Sequence, residues 1–316
     1  MRVPIPWASS QTSNSDMRIV LTNLSNRLYE ESRFRLNRSA ERFGIGEIRS
    51  YAFEDIRKTP FYQENRSILD TPTGMGYWLW KPYIILETLN DLPDGSIVVY
   101  CDSGIEIIAA LDPLVELCRE QAPILLFGNG ALQNSMWTKR DCFILMDCDT
   151  EYHWKGPQCD AAFLLFRKCA ETMQFVREWL DYCRDPRILT DQPNTCGKRD
   201  LPDFVEHRRD QAVLSLMAQK YRLPLFRMPT QFGNHYKQPA FRVTGEFNCV
   251  NQNRQTPVGY YSVIPFYNSP YFQLLDHHRG QNRTGPVKGP SSPLLVRAIR
   301  KRIRRLVNTL SLWREP

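Results

Sequence analysis

Short, unbroken apolar runs recur along the chain, each closed by a polar or glycine-containing turn, and longer stretches with a three-to-four-residue apolar period lie between them. Arg18 to Thr22 (RIVLT), Ile97 to Cys101 (IVVYC), Ile124 to Phe127 (ILLF) and Ala161 to Phe166 (AAFLLF) read as buried strands. A helix is predicted from an N-cap at Ser25 to about Phe43, where Gly44 and Gly46 end it. Helical periodicity returns over Tyr83 to Asn90, with Pro82 in the first turn, and over Phe175 to Cys183 and Gln211 to Lys220. Glu47 to Tyr51 forms a second strand, and Leu223 to Met228 a late one. Strand, helix and strand in close succession are the βαβ signature, so the predicted class is α/β with a mainly parallel sheet flanked by helices.

The ends of the chain break this pattern. Residues 1–16 are polar and are expected to be disordered, with the catalytic-type domain running over 17–230. From 231 to 279 the texture changes to Asn, Gln, Tyr and Pro with little periodicity, which predicts a loop-rich lid or acceptor region. Residues 280–293 (GQNRTGPVKGPSSP) have the composition of a linker. Beyond it, 294–316 places Leu295, Ile299, Ile303, Leu306, Leu310 and Trp313 on one helical face among cations. A basic amphipathic helix suits an anionic membrane surface, each cation there adding about 1 kcal/mol; packing against the body or a partner subunit is the competing expectation.

Charge sharpens this division. Of the net charge of +7, six units come from Arg297, Arg300, Lys301, Arg302, Arg304 and Arg305, which leaves the body nearly neutral and argues against nucleic acid as a partner. The nine cysteines contain no CxxC pair, so neither a disulfide framework nor a zinc site is expected. No stretch approaches the roughly 18 apolar residues of a membrane span, and no secretory leader is evident. The expected location is cytoplasmic, peripheral to the inner face of the membrane.

Four clusters carry candidate chemistry. Gly74-Met75-Gly76-Tyr77-Trp78-Leu79-Trp80-Lys81-Pro82 joins aromatics, a cation and glycines before a helix, a combination suited to an anion and a ring, though core packing accounts for it equally well. Tyr100-Cys101-Asp102-Ser103-Gly104 ends a strand, where ligands of open α/β sheets gather; an Asx turn is the plain alternative. Lys139, Arg140 and Asp141 follow Trp137-Thr138 and offer cations for a diphosphate, while Asp147-x-Asp149 has the spacing to share one hard cation. Finally, Glu206-His207-Arg208-Arg209-Asp210-Gln211 crowds polar groups at the mouth of an apolar helix, where His207 and Gln211 are i, i+4 neighbours; Asp210 as a mere N-cap is the bland reading.

Taken in order, GYWLWKP, YxDxG, WTKRD and HRxDQ resemble a family of bacterial glycosyltransferase-like proteins encoded among cell-surface polysaccharide genes, over about Arg18 to Gly233. More distantly, YCDSG and DQ are similar to elements of GT-A glycosyltransferases related to glycogenin and the lipopolysaccharide galactosyltransferases. The resemblance implies a GT-A-like, Rossmann-like fold. It also implies transfer of a sugar from a nucleotide-sugar donor to a cell-surface glycan or lipid-linked acceptor, as in lipopolysaccharide or capsule synthesis, and the more distant likeness suggests a retaining, hexosyltransferase-like route.

Carried onto this chain, Tyr100 and Asp102 match the strand-end motif, and Gly104 replaces its second Asp. Asp210 and Gln211 match the later Asp-Gln of the sugar pocket. The expected catalytic group is therefore Asp210, Gln211 and His207. The expected donor site comprises Tyr77, Trp80, Lys81, Tyr100, Asp102, Ser103, Lys139, Arg140, Asp141 and Arg208. A divalent cation, Mn2+ or Mg2+, is expected at Asp102 with Asp149 or Glu106 helping, but the missing second carboxylate leaves room for Lys and Arg to stabilise the leaving group instead. An inverting course needs one carboxylate as base, with Asp141, Asp149 and Asp210 as candidates. Two alternatives stand beside the enzyme: a non-catalytic scaffold that keeps the fold, and another nucleotide-sugar-dependent transferase.

Overall fold

A computed structural model describes residues 17–231, 269, 271 and 273–278. The chain divides into two compact units, Met1–Arg283 and Thr284–Pro316, the second lying outside the described residues. The expectations for 1–16, for most of 231–279, for the linker 280–293 and for the basic segment 294–316 likewise fall outside them.

The first unit is built on a six-stranded sheet. In chain order its strands are β1 (Ile19–Ser25), β2 (Glu47–Ala52), β3 (Ile97–Cys101), β5 (Ile124–Gln133), β6 (Pro157–Arg167) and β7 (Leu225–Arg227). A further pair is formed by β4 (Ile105–Ile107) and β8 (Leu275–His277). The sheet order is β2-β1-β3-β6-β5-β7, with β6 antiparallel to both neighbours and the remaining pairings parallel. This is the mixed, mainly parallel α/β architecture expected of a GT-A-like fold.

Both faces of the sheet are covered, which explains the continuous apolar runs of its central strands. Val98 and Tyr100 point into one core with α2 (Trp80–Asn90), α4 (Ala170–Arg184) and α5 (Arg209–Lys220). Ile97, Val99 and Cys101 point into the other with α1 (Glu30–Arg42) and α3 (Asp112–Glu120). The two-residue period of β3 thus feeds two separate cores, with every residue of the strand buried. Among the described residues no helix is long and apolar enough to cross a membrane.

Several local expectations shift. Ser25 is the last residue of β1 rather than an N-cap; the Asn26 side chain instead accepts from the Leu28 N–H and caps a 3-10 turn, and α1 begins at Glu30. Strands β5 and β6 run longer than their apolar runs, because their polar ends pair with each other. Strand β8 lies in a region read as loop-rich. Its three residues carry too little pattern to be seen, and they are held by pairing with β4 and by the bond from the Gln273 side chain to the Leu275 carbonyl.

Candidate active site

Strands β1 and β3 are parallel, and their carboxyl ends open onto a cavity of about 580 Å³ lined by Leu24 and Ser25 of one and by Asp102 and Ser103 beyond the other. Strand β6 enters from the opposite direction and adds Asp160 to Ala162, and α5 adds Asp210 and Gln211 from its first turn. The Asp102 N–H donates to the Ala162 carbonyl at 2.7 Å, which ties the turn after β3 to β6. The Ser103 hydroxyl donates to the Leu24 carbonyl at 3.0 Å, so Ser103 anchors that turn to β1.

Lys81 is the centre of the floor. Its ammonium lies 2.7 Å from Asp210 Oδ2 and 3.8 Å from Asp102 Oδ1, donates to the Ala161 carbonyl at 3.0 Å, and sits 5.3 Å from the centre of the Tyr100 ring. Burial alone would pull the ammonium down, but Asp102, Asp210 and Asp160 together hold it above the ordinary lysine value, so it stays charged. Burial pushes the Asp210 carboxyl up to about 6, against the pull of Lys81 and with the help of the Asp102 charge. The Tyr100 hydroxyl donates to Asp102 Oδ1 at 2.5 Å, and burial with that carboxylate lifts its pKa well above the tyrosine range. Asp102 is the open member of the set, its side chain 32% exposed where that of Asp210 is 5% exposed.

One wall of the cavity has unusual backbone. Gly74, Met75, Gly76, Tyr77 and Trp78 all have positive φ, at 55°, 55°, 90°, 53° and 61°. They form a left-handed turn ahead of α2, where each non-glycine residue costs about 1–2 kcal/mol. Two contacts make the glycines necessary: a Cβ on Gly76 would stand 2.6 Å from the Leu69 Cα, and one on Gly74 would stand 2.4 Å from the Trp78 ring. The Trp80 indole N–H donates to the Gly74 carbonyl at 3.0 Å and locks the turn. Trp78, Trp80 and Lys81 line the cavity, whereas the half-buried Tyr77 is outside its lining.

The other expected residues part company. Lys139 donates to the Thr190 and Gln192 carbonyls at 3.1 and 2.9 Å, and its burial pulls the ammonium below the usual range. Arg140 pairs with Asp149 at 2.9 Å and lies over the Trp154 ring. Burial would raise the Asp141 carboxyl, yet hydrogen bonds from Cys196 and Thr195 hold it below the usual range. These three residues clamp the 190–200 loop and none lines the cavity. His207 is buried as well. Its Nδ1 accepts from the Lys139 N–H at 3.3 Å and its Nε2 faces the Ile188 carbonyl at 2.8 Å, so both ring nitrogens are engaged away from the cavity, and burial drives its pKa down to about 3.

Arg208 and Gln211 do reach the cavity. The Arg208 guanidinium stacks over Trp137 at 4.2 Å and lies 3.6 Å from Glu206. Gln211 begins a chain of amides that is buried at its centre: its Nε2 donates to Gln158 Oε1 at 3.0 Å, Gln158 Nε2 donates to Asn134 Oδ1 at 2.8 Å, and Asn134 Nδ2 donates to Gln219 Oε1 at 2.6 Å. Because Gln158 also donates to Thr138, only its oxygen is left for Gln211. Gln211 therefore keeps its own amide oxygen for the cavity, as an acceptor.

The carboxylates expected to hold a divalent cation each have partners within the protein. Asp102 Oδ1 is taken by Tyr100 and faces Lys81; Glu106 is paired with Arg35; Asp149 is held by Arg140, Lys198 and the Trp154 N–H. Among the described residues no group of three or more His, Cys, Asp or Glu could hold a metal ion.

Asp160 and His277 are among the cavity residues that escaped the sequence reading. Asp160 directly precedes the apolar run AAFLLF within β6 and accepts from the Ala162 N–H at 2.7 Å; an acid at the edge of a buried apolar run was the available signal. His277 reaches the lining only because β8 pairs with β4 beside Gly104, and no local pattern announces that pairing.

No family model matches the chain, and no curated protein matches it. Among solved structures it is similar to the apo structure of the bifunctional glycosyltransferase WbbM, at 12% identity over 66% of this chain and 38% of that one, with a TM-score of 0.39. It is also similar to mouse xyloside xylosyltransferase 1 in its apo form, at 9% identity over 86% of this chain and 100% of that one, TM-score 0.42. A third is the glycosyltransferase GlyE of Streptococcus pneumoniae TIGR4, at 13% identity over 64% of this chain and 43% of that one, TM-score 0.30. The chain thus spans under half the length of the solved WbbM and GlyE chains.

Proposed function

We propose that the protein is a glycosyltransferase that moves a sugar from a nucleotide-sugar donor to a cell-surface glycan or lipid-linked acceptor. The observation that carries this is the Lys81, Asp102 and Asp210 cluster on the floor of a cavity at the carboxyl ends of two parallel strands. Carboxylates and the Gln211 amide oxygen are acceptors for sugar hydroxyls, and Arg208 with Lys81 supplies positive charge where the departing diphosphate gains negative charge. Asp210, pushed up to about 6, is suited to hold the proton released by the acceptor hydroxyl. No step in this scheme passes through a metal ion.

Thermal denaturation of the full chain against a panel of nucleoside diphosphates and sugar nucleotides, with and without manganese, tests the donor. A ligand at a hundred times its Kd stabilises by about 2.7 kcal/mol, and the stabilisation is expected without manganese and lost in Arg208→Ala. No shift with any member would sink the proposal. The acceptor class and a peripheral place at the inner face of the membrane rest on the sequence resemblance and the cations of 294–316. Co-sedimentation with vesicles containing phosphatidylglycerol should be lost on deleting 294–316 and weakened by salt.

A further inference from the structure

We infer that the left-handed turn Gly74–Trp78 is an acceptor subsite, in which the Trp78 indole is the stacking face for a pyranose ring at the mouth of the cavity; this rests on the glycosyltransferase reading above. The cavity has two kinds of lining. Asp102, Asp160 and Asp210 accept hydrogen bonds, whereas Leu28, Met75 and Trp78 present apolar surface. A pyranose is divided in the same way, with hydroxyls around its rim and C–H bonds on its faces, so a site that binds it needs both.

Core packing accounts for only part of Trp78, which packs against the larger core and also lines the cavity. Its neighbours Leu79 and Trp80 fill the core at 0% and 3% exposure, while Trp78 is only partly buried and keeps surface in the cavity lining. The indole lies directly on Gly74, whose missing side chain leaves the room it occupies, and three non-glycine residues hold positive φ to keep it there. Strained backbone that persists beside a cavity is most simply kept for what it presents. Leu28 extends the same surface outward and is 55% exposed. This apolar part contains no cation, so it does not suit the donor diphosphate, whose counter-charges are Lys81 and Arg208. The acceptor ring is the remaining occupant.

Saturation-transfer NMR of the full chain with a panel of methyl hexopyranosides and methyl pentopyranosides tests this, alongside thermal shifts with nucleoside diphosphates. At least one glycoside is expected to bind the native protein with saturation on its ring C–H protons. Trp78→Phe should retain binding and Trp78→Ala should lose about tenfold in affinity. Nucleoside diphosphate stabilisation should be unchanged in both variants. Binding in Trp78→Ala within about twofold of the native protein overturns the subsite, as does a panel of which no member binds. Glycoside binding lost in Trp78→Ala, with no nucleoside diphosphate stabilising any form, would leave the sugar subsite standing and remove the glycosyltransferase reading. Trp78→Phe guards against misfolding, since it shares the backbone strain of Trp78→Ala and differs only in the ring.

Discussion

The Lys81 ammonium meets the Asp210 carboxylate at 2.7 Å across the floor of the cavity, joining the first turn of α2 to the first turn of α5. Both side chains are almost fully buried, at 3% and 5% exposure. Removing one partner strands the other charge in a poorly solvated place, which typically costs about 3–5 kcal/mol. Asp210→Ala and Lys81→Met should each show a loss of that order in urea denaturation. The double variant Lys81→Met, Asp210→Leu should be less destabilised than the sum of the two. Additive losses would show that the pair is not coupled.

His207 is expected to act on stability rather than on chemistry. Its folded pKa of about 3 lies below the ordinary 6.5, so the unfolded chain binds a proton that the native state refuses. The stability it contributes is complete above the unfolded value and is lost as pH falls from 6.5 toward 3. Between pH 6.5 and 5 that loss is roughly 2 kcal/mol. His207→Gln should flatten this acid limb in melts recorded across pH, and should leave stabilisation by nucleoside diphosphates intact. An unchanged pH slope would contradict the burial described above.

The amide chain behind Gln211 makes Gln158 a positioning residue. Gln158→Leu leaves the buried Asn134 and Thr138 and the half-buried Gln211 each short of a partner, and is expected to cost about 2–4 kcal/mol. Its sharper signature is in binding. Freed from Gln158, the Gln211 amide no longer has to present its oxygen, so sugar-nucleotide affinity should fall more than affinity for the bare nucleoside diphosphate. Parallel losses for both ligands would show that Gln211 does not read the sugar.

Gly76 and Gly46 provide a matched contrast. A Cβ at Gly76 meets the Leu69 backbone at 2.6 Å on a residue with φ of 90°, whereas a Cβ at Gly46 has nothing within 4 Å. Gly76→Ala should lower stability by more than about 2 kcal/mol, and Gly46→Ala should change it by no more than about 0.5 kcal/mol. Thermal melts of the two variants give the comparison, and equal effects would refute the left-handed turn.

The residues that reach the cavity and those that do not share the same chemical types, and this shows where pattern stops informing. Lys81, Asp102, Asp210 and Gln211 stand at the ends of apolar elements, where a polar side chain has an open sheet edge or helix mouth beside it. Lys139, Arg140, Asp141 and Asp149 carry the same charges in an equally suggestive order, yet their partners are the 190–200 loop and one another. Charge and spacing state what a side chain can bind. They do not state what faces it.

Local periodicity was enough to specify the six strands of the main sheet, the helices α1, α2, α4 and α5 and the α/β class, because each depends on residues two to four positions apart burying a common face, whereas α3 and the short strands β4 and β8 went unpredicted. The site depends on another scale of contact. Lys81 reaches Asp210 and Ala161, Gln211 reaches Gln158, and His277 arrives beside Gly104 through strand pairing. Such meetings exist only after the sheet has closed in the order β2-β1-β3-β6-β5-β7, which brings separate strand ends to one edge and desolvates the charges between them. Burial then raises Asp210 and lowers His207, while the three carboxylates around Lys81 keep it charged against the same desolvation.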